Sequence, residues 1–271
     1  PGKVERTLDP KSFAAAPEHS TPEIRTGDLV AAGLSLAAWG TPRGEGLAMW
    51  EAPPAAAMAS DEQVLRSLDA VDEAGQITSL GEQMMKIPAD PRAARALLEG
   101  SRIFGARAAA DAVALLASSE RIASADLNEL LVAVARNSHP AHRAWKHEAQ
   151  RLERLVGAAG PSTGRQAASA ATALAGVCAL AYPQWIARKS GPDEYLLASG
   201  TRATLPRGSA LMHEEFLAVA EVSRTGSKSM IRRAIGIDLE KAIDLLPQMH
   251  QMREVAEMSD GRITARRKIG R

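Results

Sequence analysis

A chain of 271 residues with 45% hydrophobic side chains can form two or three packed domains, which excludes a globally disordered protein. No apolar run approaches the roughly 20 residues of a membrane-spanning helix, the single cysteine excludes an intramolecular disulfide and a cysteine-based zinc site, and a cytoplasmic location is expected. The net charge of +1 is uneven: residues 1–96 carry 9 Lys or Arg against 14 Asp or Glu, whereas residues 182–271 carry 15 against 11.

The first predicted elements are a connector and a helix. Residues 1–20 lack periodicity and contain prolines, which indicates an extended connector with no core of its own. Thr21, followed by Pro22, predicts a helix with Thr21 as its N-cap. This helix is expected to run to about Trp39, where Gly40 stops it.

A second helix and a short β-segment are predicted next. Apolar residues recur at helical spacing over residues 64–71, which predicts a helix that ends near Asp72. The run over residues 76–80, closed by Gly81, predicts a strand or a small hairpin. Helices followed by a short β-wing predict a winged-helix domain over residues 21–91.

Residues 92–181 are predicted to form a helical bundle. Nearly every segment there has helical character, and breaks fall at Gly100, Gly105 and Pro140. One apolar stripe at helical spacing is formed by Leu127, Leu130, Leu131 and Val134.

The periodicity changes after Pro183, and residues 182–271 are predicted to form a small barrel of the oligonucleotide-binding (OB) type. A helix is expected to begin near Asp238, followed by two runs around a hairpin turn at residues 259–261. With the domains before it, this barrel makes the fold class α+β and multidomain. Short strands are predicted over residues 185–188, 195–198, 216–222 and 230–237.

The sequence offers no arrangement for catalysis. Neither residues 160–165 nor residues 225–229 have the spacing of a phosphate-binding loop, so this chain alone is not expected to hydrolyse nucleotide. We interpret the stretch with His139, His142 and His147 as a solvated, partly basic helix face and expect no metal site.

The candidates for nucleic-acid binding are basic residues of the last third, where the basic excess is largest. Consecutive residues of a strand point to opposite faces, so at most about half of these side chains can face one groove. The candidates are Arg188, Lys189, Arg202, Arg232, Arg233, Arg266 and Arg267.

Several segments resemble the helicase-associated region of DEAH-box helicases, specifically the HrpB type. They lie at residues 22–54, 68–81 and 88–98, and the resemblance extends more loosely over the last 90 residues. After Ser119-Glu120-Arg121, Ile122 stands where the family usually has Asp. The motif positions that we expect to be structural are Trp39, Gly40, Pro53, Pro54, Gly81, Pro91, Arg92 and Arg95.

The resemblance implies a winged-helix domain, a ratchet-like helical bundle and an OB-like barrel beside two RecA-like motor domains that this sequence lacks. Residues 1–20 would be the end of the second motor domain or a linker. ATP and Mg²⁺ would bind to the motor, and this chain is expected to hold no cofactor. Its expected partners are single-stranded RNA or DNA and the motor domains, with no membrane.

Two other functions stay open. A free-standing winged-helix regulator of duplex DNA would need a basic recognition helix, yet residues 61–71 carry Asp61, Glu62 and Asp69 against Arg66 alone. A protein-interaction scaffold would have no nucleic-acid role. Salt-dependent binding to single strands separates the scaffold from the helicase interpretation.

Overall fold

The computed structural model divides into two compact units, Pro1–Glu82 and Gln83–Arg271. It describes residues 3, 5, 7, 9–120, 122–157, 169–226, 228–246, 251–259 and 262–270, the last two ranges as backbone only. The expected boundaries of three domains stay a prediction.

The first unit is helical. Its core includes the buried residues Val30 and Leu34 of α3 and Leu65 of α4, two helices that pack on each other. The predicted connector contains the short helix α1, which is capped by the Asp9 carboxylate and buries none of its residues. The helices are α1 (Pro10–Ala15), α2 (Glu23–Thr26), α3 (Val30–Ala38), α4 (Ala55–Ser67) and α5 (Ser79–Met85), which extends into the second unit.

The first long helix was predicted as one piece, and this prediction is wrong. The N-cap of α2 is Pro22 instead of Thr21, and a second helix begins after a break. The break is stabilised by two carboxylates, because Asp28 accepts the N–H of Val30 at 3.0 Å and Asp61 accepts the N–H of Leu29 at 2.9 Å. These bonds satisfy backbone donors at the start of α3, so the chain can begin a new helix there.

The predicted β-wing is reduced to one isolated bridge, between Val71 and Ile77. The chain then enters α5, whose first two residues, Ser79 and Leu80, fall within the run predicted as a strand or small hairpin. The cause is Thr78, whose hydroxyl oxygen accepts the N–H of Gly81 at 3.0 Å and so satisfies a donor in the first turn of the helix. The preceding helix, α4, also ends earlier than predicted, at Ser67.

The second unit begins with the predicted helical bundle. Helix α7 lies at its centre and packs against α6, α9 and α10. The predicted apolar stripe of α8 is confirmed, since Leu127, Leu130, Leu131 and Val134 are all buried. The helices are α6 (Pro91–Phe104), α7 (Ala106–Ala117), α8 (Leu127–Ala135), α9 (His142–Val156) and α10 (Ala170–Ala181).

A closed five-stranded barrel follows, as predicted. Its strand order is β1-β2-β3-β5-β4, with β3 and β5 parallel and every other pair antiparallel. Tyr195 is fully buried at its centre, with its hydroxyl 2.8 Å from the carbonyl oxygen of Leu211 and 2.7 Å from that of Glu214. The strands are β1 (Ile186–Lys189), β2 (Glu194–Leu197), β3 (Arg202–Thr204), β4 (Phe216–Thr225) and β5 (Lys228–Gly236).

The last elements are helix α11 (Leu239–Leu245), which Asp238 caps as predicted, and a hairpin. Strands β6 (Gln251–Ser259) and β7 (Arg262–Gly270) confirm the two predicted runs. They form a two-stranded sheet of their own, whereas the sequence analysis counted them as part of the barrel. The barrel needs no strand from them, because β1 pairs with β4 and closes it.

Arg233 joins the barrel to the bundle. Its guanidinium is 7% exposed and donates to the carbonyl oxygens of Leu115 at 2.7 Å and of Leu116 and Ser118 at 3.0 Å. These carbonyls lie at the end of α7, where a helix has a partial negative charge and its last acceptors lack the usual intrahelical donors; the carbonyl of Leu115 also accepts the N–H of Ser118 at 3.1 Å. Arg233 therefore caps a bundle helix from a barrel strand.

Candidate nucleic-acid interface

The outer face of the barrel carries a row of residues in register across three strands. Arg188 of β1 pairs with Leu196 of β2, which pairs with Arg202 of β3. Both arginines are exposed, whereas Ala187, Tyr195 and Ala203 beside them are buried in the barrel core. Neighbouring strands lie about 4.8 Å apart, so the two arginines are separated by roughly 10 Å on one surface.

Arg202 is partly neutralised by Glu194. Their ion pair measures 2.6 Å, and the carboxylate also accepts a hydrogen bond from the Ser190 hydroxyl at 2.9 Å. The hydroxyl of Ser190 and then the guanidinium of Arg202 lower the pKa of the Glu194 carboxyl. Arg202 is therefore pre-positioned by a carboxylate, while no ion pair of Arg188 is seen among the described residues.

Lys189 belongs to a different surface from Arg188. It is half-buried, its ammonium group donates to the carbonyl oxygen of Met212, and its backbone N–H donates to Glu215 at 2.9 Å. Lys189 therefore fastens β1 to the chain before β4. The structure brings Arg188 and Arg202 together, but not Lys189.

Arg232 and Arg233 separate as two consecutive strand residues should. Arg232 is exposed, and its Nε donates to the Ser223 hydroxyl at 2.7 Å. Arg233 was also predicted to contact nucleic acid, but in the structure its guanidinium is buried on the carbonyls of α7.

Lys228 was not among the candidates predicted from the sequence. It is exposed and lies four residues before Arg232 on β5, so the two residues share one face. Two more exposed cations of the barrel domain, Arg207 and Arg224, were also missed. The available signal was the spacing of four residues between Lys228 and Arg232, and it was lost because the predicted strand began at residue 230 and residues 225–229 were considered only as a phosphate loop.

Arg266 and Arg267 are the remaining candidates, and their side chains lie outside the described part of the chain. Their backbone belongs to β7, where Arg266 is opposite Val255 and Arg267 is opposite Glu254. The register therefore places the two arginines against different neighbours, one apolar and one acidic.

A second basic surface lies on α9 of the bundle. Arg143, His147 and Arg154 are exposed, on the side away from the buried residues Ala149 and Leu152. Arg151 is ion-paired with Glu148 at 2.6 Å. His142 has its Nδ1 3.0 Å from the carbonyl oxygen of Val134. The face predicted from sequence is thus partly basic.

The motif residues expected to be structural differ in their surroundings. Gly40 has a φ of +83° directly after α3, and Gly81 is packed against the backbone of Ala70. Arg92 and Arg95 form ion pairs with Asp90 at 3.5 Å and Glu99 at 3.1 Å. The rest comprise the buried Pro91, the strongly exposed Trp39, and Pro53 and Pro54 directly before α4.

Among the described residues, no group of three or more His, Cys, Asp or Glu side chains is placed to hold a metal ion. Cys178 is buried in α10, and burial raises the pKa of its thiol to about 12, so it is protonated at neutral pH. In the same part of the chain, no helix is long and apolar enough to cross a membrane.

A protein-family model described as "Helicase associated domain (HA2), winged-helix" matches residues 62–89. The chain is 28% identical over 253 residues to the ATP-dependent RNA helicase HrpB of Escherichia coli K12, covering 92% of the chain and 29% of that protein. It is 33% identical over 106 residues to a probable ATP-dependent RNA helicase DHX35 homolog of Caenorhabditis elegans, covering 39% of the chain and 14% of that protein.

Two solved structures agree with these relatives. The crystal structure of the E. coli DExH-box NTPase HrpB is 26% identical, with a TM-score of 0.75, and the match covers 96% of the chain and 31% of that protein. A second crystal structure, of the E. coli DEAH/RHA helicase HrpB, has the same TM-score at 24% identity and supports the fold. The chain thus spans about three-tenths of the HrpB proteins that it matches, and it resembles the C-terminal accessory region of an HrpB-type helicase.

Proposed function

We propose that this chain, which resembles the C-terminal region of HrpB-type helicases in sequence and fold, holds and guides a single nucleic-acid strand beside the motor domains of an ATP-dependent RNA helicase. The observation that carries the proposal is the row of Arg188 and Arg202 on the outer face of the OB-like barrel. Barrels of this kind bind single strands through basic grooves that follow the backbone. We also propose that the protein is cytoplasmic.

The strand contact that we propose is independent of base sequence. Arginines whose backbones lie roughly 10 Å apart can reach phosphates one or two nucleotides apart, and the exposed Lys228 and Arg232 extend the charge along β5. Leu196, between the arginines, offers no hydrogen-bond group to a base edge. ATP and Mg²⁺ would bind only to the motor domains.

The first unit suits contact with those motor domains better than contact with a strand. Residues 1–82 carry 6 Lys or Arg against 13 Asp or Glu, and the tryptophans Trp39 and Trp50 are strongly exposed there, together with Leu47. Exposed large apolar side chains indicate a surface for protein packing. A scaffold without a nucleic-acid role would use the same surface, so strand binding must decide between the two functions.

The salt dependence of binding tests the proposal. We expect the chain to bind fluorescent single-stranded RNA with an affinity that falls as salt rises, and Arg188→Gln with Arg202→Gln to reduce the logarithmic salt slope by about 1.4, at about 0.7 for each lost phosphate contact. Fluorescence anisotropy at several salt concentrations, with single-stranded DNA in parallel, measures this slope.

The control is Lys11→Gln with Arg25→Gln, which removes two exposed cations from the first unit and leaves the barrel intact. We expect its slope to equal that of the unmodified chain. If both double variants changed the slope equally, the binding would be general charge attraction, and absence of binding at low salt would favour the scaffold.

The two adjacent arginines of β7 give a second test. We expect Arg266→Ala to weaken binding of single-stranded RNA more than Arg267→Ala does, because the backbone register sets Arg267 opposite Glu254, and opposite charges on directly paired strand residues attract each other. Each variant removes one positive charge, so each serves as the control for the other. Equal losses would mean that the hairpin contributes only net charge.

A further inference from the structure

An open cleft of about 1260 Å³ lies within the second unit, between the bundle helices, the barrel and α11. Its floor is apolar and includes Phe104, Ala175, Phe216 and Leu245. Gly176 shapes this floor, because a Cβ at that position would lie 2.3 Å from the ring of Phe104. The ring can therefore lie directly on α10.

The rim of the cleft is strongly acidic. Of the described residues that line the cleft, Lys241 is the single basic one. In the described part of the chain, no ion pair of the six rim carboxylates is seen. These six are Asp126, Glu214, Glu215, Asp238, Glu240 and Asp244.

Two of these six carboxylates cap helices, and the other four do not. Asp126 caps α8, and Asp238 caps α11. The side chain of Glu214 lies against the backbone of Gly236, where a Cβ would be 2.7 Å from its carboxyl carbon. Glu215, Glu240 and Asp244 are exposed, and no hydrogen bond of their side chains is seen among the described residues.

A cleft with an apolar floor and an acidic rim is not suited to hold a nucleic-acid strand, because unpaired carboxylates repel phosphates. It suits a polypeptide that carries both cationic and apolar side chains, such as an amphipathic helix laid into a groove. A helix is about 10 Å wide and rises 1.5 Å per residue, so the cleft can take roughly two to three turns.

We propose that the cleft is a docking site for a basic amphipathic helix of a partner protein. The apolar face of that helix covers Phe104, Phe216 and Leu245, and its lysines or arginines meet Glu214, Glu215, Glu240 and Asp244. The assignment of the occupant rests on charge complementarity together with the apolar floor. It is independent of the proposed strand contact, which uses the opposite charge on a different set of residues.

The test uses the full chain and a fluorescent peptide of about 14 residues made of Lys and Leu, with Leu at helical i, i+3, i+4 spacing. We expect the peptide to bind at least about tenfold more weakly to the variant Glu214→Gln, Glu215→Gln, Glu240→Gln and Asp244→Asn. We also expect the same peptide with Ser in place of Leu to bind weakly to the unmodified chain. Circular dichroism checks that every variant is folded.

The matched control removes four exposed carboxylates of the first unit, by Glu5→Gln, Glu18→Gln, Glu23→Gln and Glu82→Gln. An equal loss in this control, or equal binding of the peptide without leucine, would overturn the proposal. A third variant, Arg266→Gln with Arg267→Gln and Lys268→Gln, tests the basic end of the chain as the occupant. A tenfold gain in peptide affinity there would overturn the partner assignment in favour of this chain's own residues.

Discussion

Arg233→Ala should lower the free energy of unfolding of the second unit by about 3–5 kcal/mol, because the substitution leaves buried carbonyls without their charged donor. Three carbonyl oxygens at the end of α7 receive hydrogen bonds from this one guanidinium. The positive charge of Arg233 also interacts favourably with the partial negative charge at the C-terminal end of α7. Arg233→Lys should lose less, since an ammonium group keeps the charge but cannot span three acceptors.

Urea unfolding followed by tryptophan fluorescence measures this loss. Trp145 and Trp185 report on the second unit when Trp39 and Trp50 of the first unit are replaced by Phe. The control is the neighbouring Arg232→Ala, which removes an exposed side chain and should change stability by no more than about 0.5–1 kcal/mol. A small effect of Arg233→Ala, equal to that of the control, would mean that the seam between barrel and bundle does not depend on this residue.

The opposite roles of Arg232 and Arg233 mark the limit of prediction from the sequence. Strand alternation predicts that only one of two consecutive arginines faces outward, but it does not say which. The choice depends on the end of α7, more than 100 residues earlier, and on the irregular register between β4 and β5 near Val219. Neither the contact with α7 nor the irregular register can be recognised from a local pattern in the sequence.

Local sequence patterns were sufficient to predict an element where the apolar residues kept one spacing throughout the segment. The buried stripe of α8 and the closed barrel both followed from periodicity and turn residues. The three-residue strand β3 was missed because Arg202–Thr204 is too short to show alternation. The prediction of a β-wing failed for another reason. The Thr78 side chain satisfies a backbone donor of α5, and this local hydrogen bond outweighs the β-preference of residues 76–80.

The acidic cleft could not be predicted, because its wall is assembled from distant parts of the chain. Phe104, Glu214 and Asp244 come from different elements, and each is unremarkable in its own segment. The net basic excess of the last third even predicts the wrong sign for this surface. Charge summed along a sequence does not show how the fold distributes it between two faces.

Gly81→Ala should lower the stability of the first unit by about 3 kcal/mol, because the added Cβ has no room. The Cβ would lie 2.2 Å from the carbonyl oxygen of Ala70 and 2.7 Å from Cγ1 of Ile77. The carbonyl cannot withdraw freely, since it accepts the N–H of Thr78 at 3.0 Å. The start of α5 must therefore move away from this turn.

Amide hydrogen exchange read by mass spectrometry measures the effect, as faster exchange over residues 79–85 in the variant. The control is Gly40→Ala, where φ is +83° and no described neighbour lies within 4 Å of the added Cβ. That substitution carries only a backbone cost of about 1 kcal/mol, because a residue with a Cβ disfavours the left-handed region. Gly81 has no such positive φ, so its requirement for glycine is purely steric. Similar exchange in both variants would show that the turn yields to the methyl group and that the close approach at Ala70 does not fix α5.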